Sequence, residues 1–146
     1  MVWEVTPAGS VAIPLGATAT RSVVVTRDLT VAHYHAGLPE AYGTPLMIYL
    51  MEVAAGDAIQ PYLPQGWASV GVAVSVKHLA ATPVGHTVTA TATVIAVDEK
   101  TVTFAVTARD GMELVGEGTH VRAPIDLVRF NRRLADKALR LSSDTR

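Results

Sequence analysis

From residue 69 onward, apolar and polar residues alternate along most of the chain, the period-two pattern of half-buried strands. "SVGVAVSVKH" (69–78) puts Val70, Val72, Val74 and Val76 on one face, and "HTVTATATVIAV" (86–97) sets Val88, Ala90, Ala92 and Val94 against four threonines. "TVTFAVTA" (101–108) shares Val102, Phe104 and Val106 on one face, and "ELVGEGTHV" (113–121) completes a set of four. Turn residues separate the last three. Asp98-Glu99-Lys100 joins one pair, and Asp110-Gly111 is a two-residue hairpin signal for the next. Upstream, "TRSVVVTR" (20–27) predicts a first strand and 28–43, with Gly37, Pro39 and Gly43, a loop or lid.

The alternation stops at 44–63, "TPLMIYLMEVAAGDAIQPYL", which predicts a helix. Thr44 fits its N-cap and Pro45 its first turn, where a missing N–H costs nothing; Pro61 and Pro64 end it. Apolar residues surround it almost completely, so it is expected to be buried on most sides. Leu127, Phe130, Leu134 and Ala138 predict an amphipathic C-terminal helix over about 126–140. Strands of about ten residues exceed the usual five or six, and long antiparallel strands curl. The expected class is α+β, a long curved antiparallel sheet wrapped around a central buried helix, which is the hotdog arrangement. One domain is expected over 20–146, behind an irregular lead-in at 1–19 rich in Pro, Gly and Ala.

Composition narrows the function more than the fold. Of the 146 residues 49% are hydrophobic and 17% charged, enough for one good core and too apolar for disorder. A net charge of −1 without a basic cluster before the C-terminal tail argues against a nucleic-acid surface. The absence of cysteine removes disulfides, thiolate nucleophiles and thiolate metal sites. No stretch reaches the roughly 20 uncharged apolar residues of a membrane span. The first residues lack signal-peptide form, so a cytoplasmic protein without membrane contact is expected.

Two residues stand out against this apolar background. Glu52 lies mid-helix between Met51 and Val53, and a buried carboxylate must find a partner or neutralise. The bland reading places it on a narrow exposed strip with Gly56 and Gln60. His78 shares the parity of Val70 through Val76, and its bland reading is a satisfied core histidine. If both point into one apolar layer, they are each other's best partners, and the carboxylate would raise the pKa of His78 toward working pH. Thr44 is adequately explained as a cap; its functional reading has the hydroxyl and the free N–H groups of Leu46 and Met47 facing a site that stabilises an oxyanion. His33 and His35 would share a strand face but lack further ligands, so no metal is expected, and His86 falls at a turn. His120 lies beside Gly118 and Arg122 on one face, and Gly71, Gly116 and Gly118 suggest close approach of a ligand or another chain.

In "LPEAYGTPLMIYLMEVA", "SVGVAVSVKHLAATPVGHTVTATATV" and "DGMELVGEGTHVRA" the chain resembles the fluoroacetyl-CoA thioesterase family and its wider hotdog relatives, over about residues 20–130. The resemblance implies an acyl-CoA substrate, no cofactor, and a homodimer with active sites at the subunit interface. It places the catalytic Thr, Glu and His on Thr44, Glu52 and His78. It also places a glycine near the thioester on Gly71, and substrate contacts on Arg122, a candidate for CoA, and on His120. The family's lid carries bulky phenylalanines where this chain has Leu38 and Tyr42, which implies a different or broader short acyl group.

The implied reaction is thioester hydrolysis, with Glu52 as nucleophile or as base on water, His78 as acid/base and Thr44 as orienting group. The alternatives are a hotdog hydratase or dehydratase and a non-catalytic acyl-CoA-binding protein. One tension is geometric: eight helical residues place Thr44 about 12 Å along the axis from Glu52. Either the helix starts later than Thr44, or the two meet in a site assembled across a dimer.

Overall fold

A computed structural model describes residues 12–144, so residues 1–11 of the lead-in expected at 1–19 lie outside the described residues. The first strand, β1, is Thr18–Val24, two residues earlier than expected at its start. The stretch that follows is more ordered than a loop. A 3-10 turn at Arg27–Leu29 leads into a one-turn helix α1, Val31–Tyr34, and isolated bridges tie Thr30 to Tyr42 and Ala41 to Pro83. The long helix α2 is Thr44–Ile59, and Pro61 turns the remainder, Gln60–Tyr62, into a 3-10 turn. The meander is β2 Trp67–His78, β3 Thr87–Val97, β4 Val102–Arg109 and β5 Leu114–Asp126. Helix α3, Leu127–Asp144, is longer than expected and opens on the Asp126 carboxylate, which accepts from the N–H groups of Val128 and Arg129.

All five strands pair antiparallel in the order β1-β3-β4-β5-β2, with α2 lying on the concave face. This is the hotdog arrangement read from the sequence. The alternating faces of β3 and β4 fall as expected: Val88, Ala90, Ala92, Val94, Val102, Phe104 and Val106 are all buried. Against them α2 sets Met47, Leu50, Met51, Ala54, Ala55, Ala58 and Ile59. Phe104 is the largest fully buried side chain; its truncation would cost about 3–5 kcal/mol. The glycines of β5 serve this packing. A Cβ on Gly116 would meet the Met47 sulfur, and one on Gly118 would meet the backbone of Ser75 and Val76. The close approaches there are therefore to the helix and a neighbouring strand. No helix among the described residues is long and apolar enough to cross a membrane.

Two local departures bear on the site. The expected Asp110-Gly111 hairpin is a four-residue loop, because Arg109 pairs with Leu114. The Asp110 carboxylate organises it by accepting from the N–H groups of Met112 and Glu113. In β2 the single alternating face breaks at a bulge: Gly71 pairs with Arg122 and Ala73 with Val121, leaving Val72 over. Val74, Val76 and His78 keep one face with His120, Gly118 and Gly116, but Val70 is turned to the other and Gly71 takes its place on the helix side.

Candidate active site

Helix α2 begins one residue earlier in its capping than the sequence suggested. Gly43 is the N-cap, Thr44 the first helical residue and Pro45 the second. The Thr44 hydroxyl makes no cap and instead hydrogen-bonds His78 Nδ1 at 2.7 Å. The N–H groups of Leu46 and Met47 are not free either, since both donate to the Gly43 carbonyl at 3.0 Å. Those two donors therefore do not form an anion hole.

His78 closes β2 beside a cleft of about 310 Å³ lined by Tyr42, Thr44 and Leu79–Ala81. Its Nε2 is buried and has no hydrogen-bond partner among the described residues. Burial holds the His78 pKa below the usual imidazole value, offset in part by the Ala80 backbone. The expected pairing with Glu52 is absent in the single chain: the partner of His78 is Thr44, and its pKa moves down, not up. Helical geometry is the reason, because Glu52 lies two turns further along α2.

Glu52 has different neighbours. It is half-buried, and its Oε2 would be 2.8 Å from a Cβ built on Gly71, so the glycine vacates the volume the carboxylate uses. The bulge at Val72 is what turns Gly71 toward it. Beneath lies Arg122, whose Nε donates to Ser69 Oγ at 2.7 Å, whose Nη2 donates to the Ser69 carbonyl at 2.8 Å and whose Nη1 donates to the Glu52 carbonyl at 3.3 Å. Gly56, one helical turn on, lies over the guanidinium, and a Cβ there would stand in ordinary contact with it at 3.6 Å. The fully buried His120 stands next to it, with Nδ1 2.8 Å from the Ala73 carbonyl and Nε2 3.2 Å from Arg122 Nη1. Only Nδ1–H can serve a carbonyl, so Nε2 accepts from Arg122 and the ring is neutral. Burial lowers the pKa of both His120 and Arg122, and the Glu52 carboxylate pulls the other way on each.

The remaining candidates divide. Tyr42 is no lid residue: it is 3% exposed, its hydroxyl donates to the Leu46 carbonyl at 3.1 Å, and burial pushes its pKa up to about 12. Leu38 is 46% exposed on the segment after α1. His33 and His35 do not share a strand face, because His33 lies in α1 against Tyr34 and His35 ends that helix. His86 precedes β3 directly after the turn at Gly85. Ser69, the anchor of Arg122, gave no signal in the sequence beyond its place in an alternating strand.

One chain thus carries two groups of candidate residues along α2: Thr44 with His78 at its start, and Glu52 with Gly71, His120 and Arg122 at its middle. Residues 25–127 match the fluoroacetyl-CoA-specific thioesterase family. The chain is 41% identical over 124 residues to the fluoroacetyl-CoA thioesterase of Streptantibioticus cattleyicolor, covering 81% of this chain and 89% of that protein. A variant of the fluoroacetyl-CoA-specific thioesterase solved with fluoroacetate and CoA superposes with a TM-score of 0.76 at 41% identity, over 80% of this chain and 98% of that one. A thioesterase superfamily member from Thermus thermophilus superposes with a TM-score of 0.85 at 26% identity, over 90% of this chain and 98% of that one.

Proposed function

The chain belongs to the fluoroacetyl-CoA-specific thioesterase family and is an acyl-CoA thioesterase, and on that premise we propose that it hydrolyses a short-chain acyl-CoA through Glu52. The observation that carries the role of Glu52 is its carboxylate, half-buried against a residue with no side chain, with a cation and a neutral imidazole packed beneath it. Such a carboxylate packs against the protein on one side while the other stays open to a substrate. Two routes fit. Glu52 attacks the acyl carbonyl, expels CoA as its thiolate and forms an anhydride that water then cleaves; or it takes a proton from the water that attacks. In both, Thr44 orients His78, and the orphaned Nε2 delivers or accepts the proton.

Glu52 and the Thr44–His78 pair are about 12 Å apart along one helix, too far to act on one carbonyl. A homodimer in which one chain's Glu52 meets the partner's threonine and histidine resolves this separation. The edge strand β2 supports that reading, because Val72 and Val74 on it are 58% and 40% exposed. The acyl group is short and not restricted to fluoroacetyl: Tyr42 is locked by its hydrogen bond and Leu38 is small, leaving no aromatic lid of the kind the family resemblance implies.

Thiol release from a panel of acyl-CoA esters tests the proposal. Glu52→Gln, which keeps size and shape, is expected to fold normally and lose at least roughly 10²-fold in kcat. Unchanged turnover in that variant, or hydration of an enoyl-CoA without thiol release, would overturn it. Size-exclusion chromatography with light scattering checks the dimer.

A further inference from the structure

Arg122 brings a charge into the protein without a counter-ion. It donates four hydrogen bonds, to the Ser69 hydroxyl, the Ser69 carbonyl, the Glu52 carbonyl and His120 Nε2, and all four acceptors are neutral. A guanidinium out of water gains most from a carboxylate, which its Nε–H and Nη2–H edge can meet with two parallel bonds. The Glu52 carboxylate is at hand: it lies against Gly71, the β2 residue opposite Arg122, and its charge acts on the guanidinium. Even so, the two make no ion pair; those among the described residues are Arg21–Asp57 and Arg27–Glu40. Ser69, two residues before Gly71 on the same strand face, explains why. It fills the bidentate edge with two oxygens, at 2.7 Å from Nε and 2.8 Å from Nη2. The Nη1 bonds toward Glu52 and His120 are longer, at 3.3 Å and 3.2 Å.

Resting on the reading of Glu52 as nucleophile or base, we infer that Ser69 is a positioning residue for the hydrolysis. By occupying the bidentate edge of Arg122 it keeps the cation from clasping the Glu52 carboxylate, whose oxygens stay free for the acyl carbonyl or for water. A carboxylate clasped by a guanidinium has its lone pairs engaged and is a poorer nucleophile and base. A cation held alongside attracts the same charge through space and leaves its oxygens uncovered. Serine does this with little bulk, offering a hydroxyl and a backbone oxygen from one uncharged residue. Alanine in its place would leave the Nε–H, a donor on a charged group, without its acceptor. The Glu52 carboxylate would then be the strongest acceptor in reach.

Thiol release from acetyl-CoA by S69A, S69T and the control S75A tests the role. S69A is expected to lower kcat about tenfold while KM stays within about twofold, the split of a group that acts on the reacting atoms and not on binding. S69T keeps the hydroxyl on a branched side chain that suits a strand, and it should restore kcat. S75A, elsewhere on β2, should match the unaltered chain. On the residual rate of E52Q, adding S69A should cost nothing further, because its effect runs through the carboxylate. Full kcat in S69A, an equal loss in S69T, or an additive loss in the double variant would overturn the assignment. Should alanine unsettle the strand, Ser69→Cys, of similar size and a weak acceptor, should lose kcat in the same direction. The Nε–H resonance of Arg122 in a heteronuclear NMR spectrum, identified by its absence in R122K, reads the tether without turnover. It should persist in the unaltered chain and S69T and be shifted or lost in S69A. An identical resonance in S69A refutes the tether, whatever the turnover. If E52Q turns over as fast as the unaltered chain, the reading of Glu52 fails, while a resonance that depends on Ser69 still supports the tether.

Discussion

Gly71→Ala tests the arrangement around Glu52 with the smallest possible change. The added Cβ would stand 2.8 Å from Glu52 Oε2 and 3.3 Å from His120 Cε1, so the carboxylate is about 0.6 Å short of ordinary contact at 3.4 Å. One of the two neighbours must move. His120 is held by the Ala73 carbonyl on one nitrogen and Arg122 on the other, whereas Oε2 ends a flexible side chain. The carboxylate therefore yields, at a rotamer cost of about 0.5–1.5 kcal/mol. Alanine returns roughly 0.5–1 kcal/mol by restricting the unfolded chain. The two nearly cancel, and at about 2–4 °C per kcal/mol the melting temperature should stay within a few degrees. Catalysis has no such compensation. A misplacement of this order should lower kcat roughly 10–100-fold. Thermal melting and thiol release on the same preparation decide the matter. A folded G71A with full kcat would refute the reasoning, and so would a collapse in melting temperature, because the backbone rather than the carboxylate would then have given way.

Thr44→Ala should reduce kcat about tenfold by freeing the His78 ring, and Thr44→Ser, which keeps the 2.7 Å hydrogen bond, should restore it; equal activity in both would show that the bond does not matter. The two depressed histidines also set a pH dependence. Burial holds His78 and His120 both below the ordinary imidazole value of about 6.5, so just under that pH the unfolded chain binds protons the folded chain refuses. Stability is therefore full above pH 6.5 and falls as the pH drops toward the folded pKa values. Melting temperatures measured on acidification should fall through this window, and a rise would contradict the burial described for these rings.

The fold was legible because its signal is repeated. Valine and threonine alternate through β3 and β4 often enough that an error at one position changes nothing, and α2 is apolar all round. The site was less legible because it depends on single residues. In "YGTPLM" threonine before proline resembles a cap, yet Gly43 caps the helix and releases the Thr44 hydroxyl to His78. Glu52 and His78 stood out in the sequence as polar residues in an apolar pattern, whereas the structure sets Glu52 against Gly71, His120 and Arg122 and His78 against Thr44. Their pairing with each other did not follow, since a shared layer says nothing about separation along a helix axis. Arg122 carried no hint that its guanidinium turns inward to Ser69 and the Glu52 backbone. Nor could the strand pattern reveal the bulge, because valine occupies every second position on both sides of it.

That bulge makes the site depend on where one extra residue is accommodated, which hydropathy does not register. Paired residue for residue from Ala73 backward, β2 would set Val72 opposite Arg122 and turn Gly71 to the outer face, putting a branched side chain where the Glu52 carboxylate lies. Deleting Val72 would instead keep Gly71 opposite Arg122 and Ala73 opposite Val121. A homologue one residue shorter here would therefore still admit the carboxylate, and a gap placed one position away in an alignment would match the wrong residue to Gly71.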